Sequence, residues 1–312
     1  MATAAARGTK TLVDSLPTAP DELAEKLARL RASLTEMGSL LVCFSGGIDS
    51  ALLLLVATEV LGDRAIGITA VSPSLPPGER EESAAVARAI GARHELVDSH
   101  EIDDPSYAKN GPDRCFHCKT ELYDVAERER VARGIAFVAS GIIVDDLGDY
   151  RPGLDAARAH GVRFPLVEAG FSKADVRAAA ALLSLSIWNK PASACLSSRI
   201  PYGTSVTRER LAKIGGLEAE LRSLGFRQLR VRFHLLAGDG EAALARLELD
   251  LEELPRAAEP AMRAKLVEAG KRHGFRHVTL DLAGYRMGSQ NEVLVGRSLR
   301  VLSLPNVRRS RR

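Results

Sequence analysis

A chain of 312 residues, 46% of them hydrophobic, can bury a full core, and its length suggests two domains rather than one. Its 43 Lys and Arg nearly cancel 40 Asp and Glu, and the resulting formal charge of +3 gives no argument for a polyanionic partner, so neither nucleic-acid binding nor a large basic surface is expected. No apolar run reaches bilayer length, the first residues lack the apolar segment of a signal peptide, and four cysteines are too few for a disulfide scaffold, so a cytoplasmic protein without membrane attachment is expected.

In chain order, residues 1–20 read as a flexible leader. Asp21 to Met37 carries Leu23, Leu27, Leu30 and Leu34 at helical spacing and ends at Gly38, a residue suited to a helix C-terminus. The run Leu40 to Phe44 is apolar on both faces, as a buried parallel strand must be. A helix from Asp49 to about Leu61 follows, then strand Ala65–Val71, helix Glu79–Ile90, strand Arg93–Val97, helix Lys119–Arg133 and strand Ile135–Ser140. Strands alternating with helices predict a parallel sheet covered on both faces. Residues 188–204 break this rhythm with Pro191, Pro201 and Gly203, which places a domain boundary near residue 204. Beyond it, helix Thr207–Leu224, strands Gln228–Phe233 and Ala245–Leu249, helix Ala258–His273 and strand His277–Leu282 predict a smaller α+β domain over residues 205–302. Residues 303–312, with Arg308, Arg309, Arg311 and Arg312, read as a solvated basic tail.

Ser45-Gly46-Gly47-Ile48-Asp49-Ser50 lies between a buried strand and an apolar helix, where backbone N–H groups and a helix N-terminus can cradle phosphate. No lysine follows the glycines, so it is not a Walker loop; it resembles the SGGxDS signature of PP-loop ATP pyrophosphatases. The bland alternative is a tight turn capped by Asp49 or Ser50. Lys173 and Arg177, after Pro165-Leu166, begin a helix where such enzymes contact phosphate a second time, although a lysine there is as often a surface residue. Asp145, Asp146 and Asp149 follow the strand ending at Ser140 and are candidates to hold Mg²⁺ beside ATP, or simply to cap the loop.

Of the cysteines, Cys43 sits in the first buried strand and is assigned no role. Cys115 and Cys118 precede a predicted helix whose positive end favours thiolate. Cys195 lies in the irregular segment, with Lys190 and Arg199 nearby. Three thiolates meeting in space suit an iron–sulfur cluster with one open iron or a zinc site completed by His117 or water, and a redox disulfide is a third reading.

The phosphate loop, residues 110–119, Arg151-Pro152-Gly153, residues 190–203, Arg230-Val231-Arg232 and Leu282 through Ser289 together resemble the LarE family, ATP-dependent sulfur transferases of nickel-pincer cofactor synthesis. The likeness spans about residues 21–302. It implies a PP-loop domain of Rossmann-like, adenine nucleotide alpha hydrolase type. It also implies a two-step reaction on pyridinium-3,5-biscarboxylic acid mononucleotide: adenylation of a carboxylate, then replacement of AMP by sulfur. The same resemblance implies ATP and Mg²⁺ as cofactors, with Ser45, Gly46, Gly47, Asp49, Ser50 and Lys173 on ATP, and Arg230 and Arg232 on the substrate phosphate. Arg230 and Arg232 alternate on a strand and so share one face. It offers two sulfur supplies: Cys195 surrendering its own sulfur, or a [4Fe-4S] cluster on Cys115, Cys118 and Cys195. The second thiol pair makes the cluster the expected one. Arg199 is placed to neutralise the carboxylate or developing oxyanion. Arg286 is a weaker candidate. A homo-oligomer and pathway partners of cofactor synthesis are also expected. A PP-loop tRNA thiolase, an amidating ligase and a zinc-stabilised nucleotide-binding regulator are the competing readings.

Overall fold

The computed structural model describes residues 20–148, 152–190, 193–238 and 240–286; the predicted leader (apart from Pro20), the basic tail, Asp149, Arg151, Pro191 and Gly288-Ser289 lie outside them. Helix α1 (Pro20–Met37) buries Leu23, Leu27, Leu30, Leu34 and Met37, the apolar face that its leucine spacing dictates. It stops at Gly38, whose φ of +73° costs glycine nothing because it has no Cβ to clash. Strand β1 (Leu40–Cys43) is buried throughout and leads into α2 (Ile48–Leu61), which is buried on nearly every side. Then come β2 (Ala65–Val71), α3 (Glu79–Ile90), β3 (Arg93–Asp98), the single turn α4 (Pro105–Ala108), α5 (Arg114–Ala132) and β4 (Phe137–Ser140).

The four strands form a parallel sheet in the order β3-β2-β1-β4. β1 therefore has neighbours on both sides, and the chain direction across the sheet reverses beside it. Loops leaving the carboxyl ends of β1 and β4 border the crevice that such a reversal opens. Gly67 lets α2 close on this sheet, since a Cβ there would meet Leu54 Cδ2 at 2.8 Å. The predicted alternation is thus observed, as an α/β fold of Rossmann-like layout.

Helices α6 (Pro152–Ala159), α7 (Pro165–Glu168) and α8 (Lys173–Leu182) follow β4, and only the last was read from sequence. The C-terminal region holds α9 (Arg208–Ser223), β5 (Leu229–Leu235), β6 (Ala243–Leu249), α10 (Leu254–Ala258), α11 (Pro260–Arg272) and β7 (His277–Leu280). Its own three-stranded sheet runs β5-β6-β7, antiparallel then parallel. The core around Leu217, Val231, Phe233 and Leu247 also takes in Ile102, Tyr107, Leu196 and Ile200 from earlier in the chain.

Several predicted boundaries moved by a few residues, three of them for a visible local reason. The helix expected from Lys119 begins at Arg114, because the buried Arg114 guanidinium is fixed by Asn110 and by the Ser197 carbonyl. Strand β4 starts at Phe137 rather than Ile135, since the N–H of Ile135 closes the end of α5 and that of Ala136 donates to Ser39 Oγ. The helix predicted from Ala258 is α11 and starts at Pro260, which lacks an N–H and forces Glu259 into extended backbone; the short α10 before it was not read from sequence. Among the described residues no helix is long and apolar enough to cross a membrane.

Candidate active site at the carboxyl end of the sheet

The loop after β1 is closed by its own serines. Ser50 Oγ donates to the Gly47 carbonyl at 3.0 Å and accepts from the Ser45 N–H at 3.2 Å, drawing the chain into a tight curl before α2. Gly46 has φ +70°, and a Cβ there would stand 3.1 Å from Ser83 Cβ on α3. Gly141, just past β4, runs against the first turn of α2: its Cβ would fall 2.6 Å from the Ser50 nitrogen. Lys173, 124 residues downstream, places its ammonium 2.8 Å from both Asp49 carboxylate oxygens. The fold thus brings Lys173 to the glycine loop. The Lys173 N–H donates to Asp145, and Asp146 accepts the Ile143 N–H, so both acids brace the backbone here.

Cys195 reaches the same edge by a different route. The Leu196 N–H donates to the Ser74 carbonyl at 2.8 Å, in the loop after β2, which pairs directly with β1. Lys190 pairs with Glu79 and Glu82 at the start of α3, one turn from the Ser83 that touches Gly46. Tyr107, 1% exposed, hydrogen-bonds Ser74 Oγ at 2.6 Å and Ser197 Oγ at 2.5 Å. Asn110, fully buried with φ +58°, donates through Nδ2 to the carbonyls of Pro201 (2.8 Å) and Thr204 (2.7 Å). Sequence reading missed Tyr107 and Ser74, which carry no pattern of their own; Asn110 and Ser197 stood inside motifs of the family resemblance without a role.

Cys115 and Cys195 are exposed and Cys118 is half-buried. Burial pushes the Cys118 thiol up to about 12; Lys119 opposes this, while Cys195, Glu101 and Cys115 add to it. Burial works to lower the pKa of Arg114, but the charges of Cys195, Cys115, Tyr107 and Tyr202 together outweigh it and raise it. The three thiols predicted to act together therefore share one neighbourhood, with cationic Lys119 and Arg114 beside them. His117 turns elsewhere, to Asp104 at 3.6 Å and Asp113 at 3.4 Å. Among the described residues no three His, Cys, Asp or Glu side chains are spaced to hold one metal ion. Cys43, in the sheet, is pushed to about 12 by burial, with Lys119 opposing.

The arginines divide by partner. Arg199, 4% exposed, donates Nε and Nη2 to Glu218 at 2.9 and 3.1 Å, and Nη1 to the carbonyls of Ala194 (2.6 Å) and Cys195 (2.9 Å). It braces the Cys195 backbone. Arg232 pairs with Glu248 at 2.8 Å and donates to the Ser198 carbonyl. Arg230, on the same face of β5, stacks on Tyr285 with 4.7 Å between guanidinium carbon and ring centroid. Burial, and then the charges of Arg232 and Arg199, lower its pKa against the favourable Tyr285.

No family model matches the chain. Over 273 residues it is 38% identical to the pyridinium-3,5-bisthiocarboxylic acid mononucleotide synthase of Lactiplantibacillus plantarum, covering 87% of this chain and 96% of that protein. The chain belongs to the LarE family, that of this synthase. It is also 45% identical over 272 residues to an uncharacterised protein of Synechocystis sp., covering 87% of this chain and 99% of that one. An uncharacterised protein of Methanocaldococcus jannaschii is 26% identical over 265 residues, 84% of this chain and 98% of its own length. LarE membership accounts for the motif likeness running through both sheets rather than being confined to the glycine loop.

Proposed function

We propose that this chain is an ATP-dependent sulfur transferase of PP-loop type that converts the carboxylates of pyridinium-3,5-biscarboxylic acid mononucleotide to thiocarboxylates. The observation that carries this reading is the shared edge: the Cys195 loop hangs on Ser74 beyond β2, beside the glycine loop beyond β1. The synthase name of the Lactiplantibacillus plantarum relative supplies the substrate class.

The glycine loop and the first turn of α2 present N–H groups to the triphosphate, and Lys173 exchanges its Asp49 partner for phosphate oxygens. Asp49, so released, would be available to help hold Mg²⁺, which would take few protein carboxylates beside the phosphates themselves. A substrate carboxylate oxygen attacks the α-phosphorus; the bond to the β-phosphate breaks, and pyrophosphate leaves with the electron pair. Sulfur then attacks the acyl carbon and AMP departs with the bond to its oxygen. Arg230 anchors the substrate phosphate, while Arg199 fixes Cys195.

Cys115, Cys118 and Cys195 suit a [4Fe-4S] cluster. They are gathered beside two cations, and such a cluster, held by three thiolates, would keep one iron open to carry sulfur. Exposed Cys195 equally suits direct surrender of its sulfur. Anaerobic purification with iron and sulfide analysis, then pyrophosphate release and intact mass after turnover, tests both readings. Expected are substrate-dependent pyrophosphate, bound iron and unchanged protein mass. Loss of H₂S from Cys195 overturns the cluster, and absence of substrate-dependent pyrophosphate release overturns the function.

A further inference from the structure

The face of β5 beside the Cys195 loop gathers four arginines, and three are matched by carboxylates. Arg199 has Glu218, Arg232 has Glu248, and Arg246 has Glu248 and Asp281. Arg230 is the remaining cation. It is 7% exposed, and among the described residues nothing hydrogen-bonds or ion-pairs with it. Glu248 is its cross-strand partner in register, but the oxygens of that carboxylate lie against Arg232 and Arg246. A buried guanidinium without an anion is costly, so this position is prepared for one that arrives from outside.

Among the described residues it is the Tyr285 ring that is laid against Arg230, and that ring is set by backbone. The Tyr285 N–H donates to the Leu249 carbonyl at 2.7 Å, and the Ala283 N–H donates to Asp281 at 2.9 Å. Gly284 makes the turn with φ +67°; a Cβ there would strike Leu251 Cδ2 at 2.7 Å. The turn after β7 thus clamps an aromatic face onto Arg230. A guanidinium held over an aromatic ring spends none of its N–H groups on a conventional hydrogen bond there, which leaves them for two parallel bonds to a phosphate.

We propose that Tyr285 is a positioning residue for substrate: it holds the Arg230 plane so that the N–H edge grips the phosphate of the mononucleotide. The inference rests on the substrate class proposed above. Tyr285→Phe keeps the ring and Tyr285→Leu removes it. The Leu variant raises KM for the mononucleotide about tenfold, a size set by one buried cation–π contact, with kcat at saturation and KM for ATP little changed. The Phe variant behaves as wild type.

The deciding measurement compares equilibrium binding of the mononucleotide with that of its phosphate-free nucleoside. In Tyr285→Leu the mononucleotide weakens about tenfold and the nucleoside does not. Equal weakening of both ligands, or a Phe variant as impaired as Leu, overturns the role of Tyr285. Wild-type protein that fails to bind the mononucleotide overturns instead the substrate reading, and the inference with it.

Discussion

Two buried sites, an ion pair and a thiol, carry tests at the scale of single residues. Arg199 is 4% exposed and Glu218 is fully buried, and each satisfies the other. Arg199→Met strips a buried carboxylate of its bidentate partner, leaving it Arg222 and the Val231 N–H, and costs roughly 3 kcal/mol of stability by urea denaturation. Arg199→Met with Glu218→Leu recovers most of that, since an apolar pair of similar volume needs no desolvation. The single variant also frees the Cys195 carbonyl, so alkylation of Cys195 changes rate. Cys43 gives a pH test with a definite sign. Its thiol is held near 12 in the fold against an ordinary 9.0, so folding favours the neutral form. That contribution is complete below about pH 9 and disappears as pH rises toward about 12, up to about 4 kcal/mol in all. Wild type should therefore lose more stability than Cys43→Ala between pH 8 and pH 10.5; equal losses would remove the burial argument.

At the scale of elements, the Cys195 loop depends on Asn110, which sits at the end of α4 in the left-handed region. Asn110→Ala removes donation to the Pro201 and Thr204 carbonyls and adds strain at φ +58°, a loss of about 3 kcal/mol. Asn110→Gly relieves only the strain, so it should fall between the two in a thermal melt. This clamp explains why α5 escaped sequence reading in its first turn. Arg114 to Cys118 shows no apolar period, and the turn is held by Arg114 reaching Asn110 and Ser197, contacts that no local pattern encodes. By contrast, β1, β2, α2 and α3 were legible because burial on a sheet writes itself as unbroken apolar runs and helical spacing. In the candidate site the glycine loop was legible from its residue types alone. The contact with Lys173 was expected from the family resemblance rather than from any local pattern, and the route by which the Cys195 loop reaches Ser74 was not legible, since both depend on the order of strands and the path of loops.

For the whole molecule, the two sheets are tied together through the segment that carries Cys195. Leu196 and Ile200 lie 2% and 0% exposed in the core of the C-terminal sheet, and Ile102 and Tyr107 join them from the region before β4. Glu218 of α9 finds its cation, Arg199, before residue 205 as well. A fragment starting at residue 205 would leave that carboxylate without its buried arginine and open the apolar space filled by four large side chains. Each lost aliphatic contact of this size costs about 2 kcal/mol or more, against a total stability of about 5–15 kcal/mol. The fragment is therefore expected to show no cooperative melt by circular dichroism, whereas one starting at residue 193, which restores Leu196, Arg199 and Ile200, regains part of it. A fragment from residue 205 that melts as sharply as the full chain would mean that the C-terminal sheet stands alone. In that case Cys195 would be tethered to one body only, and the β5 arginines would not hold a fixed place relative to the glycine loop.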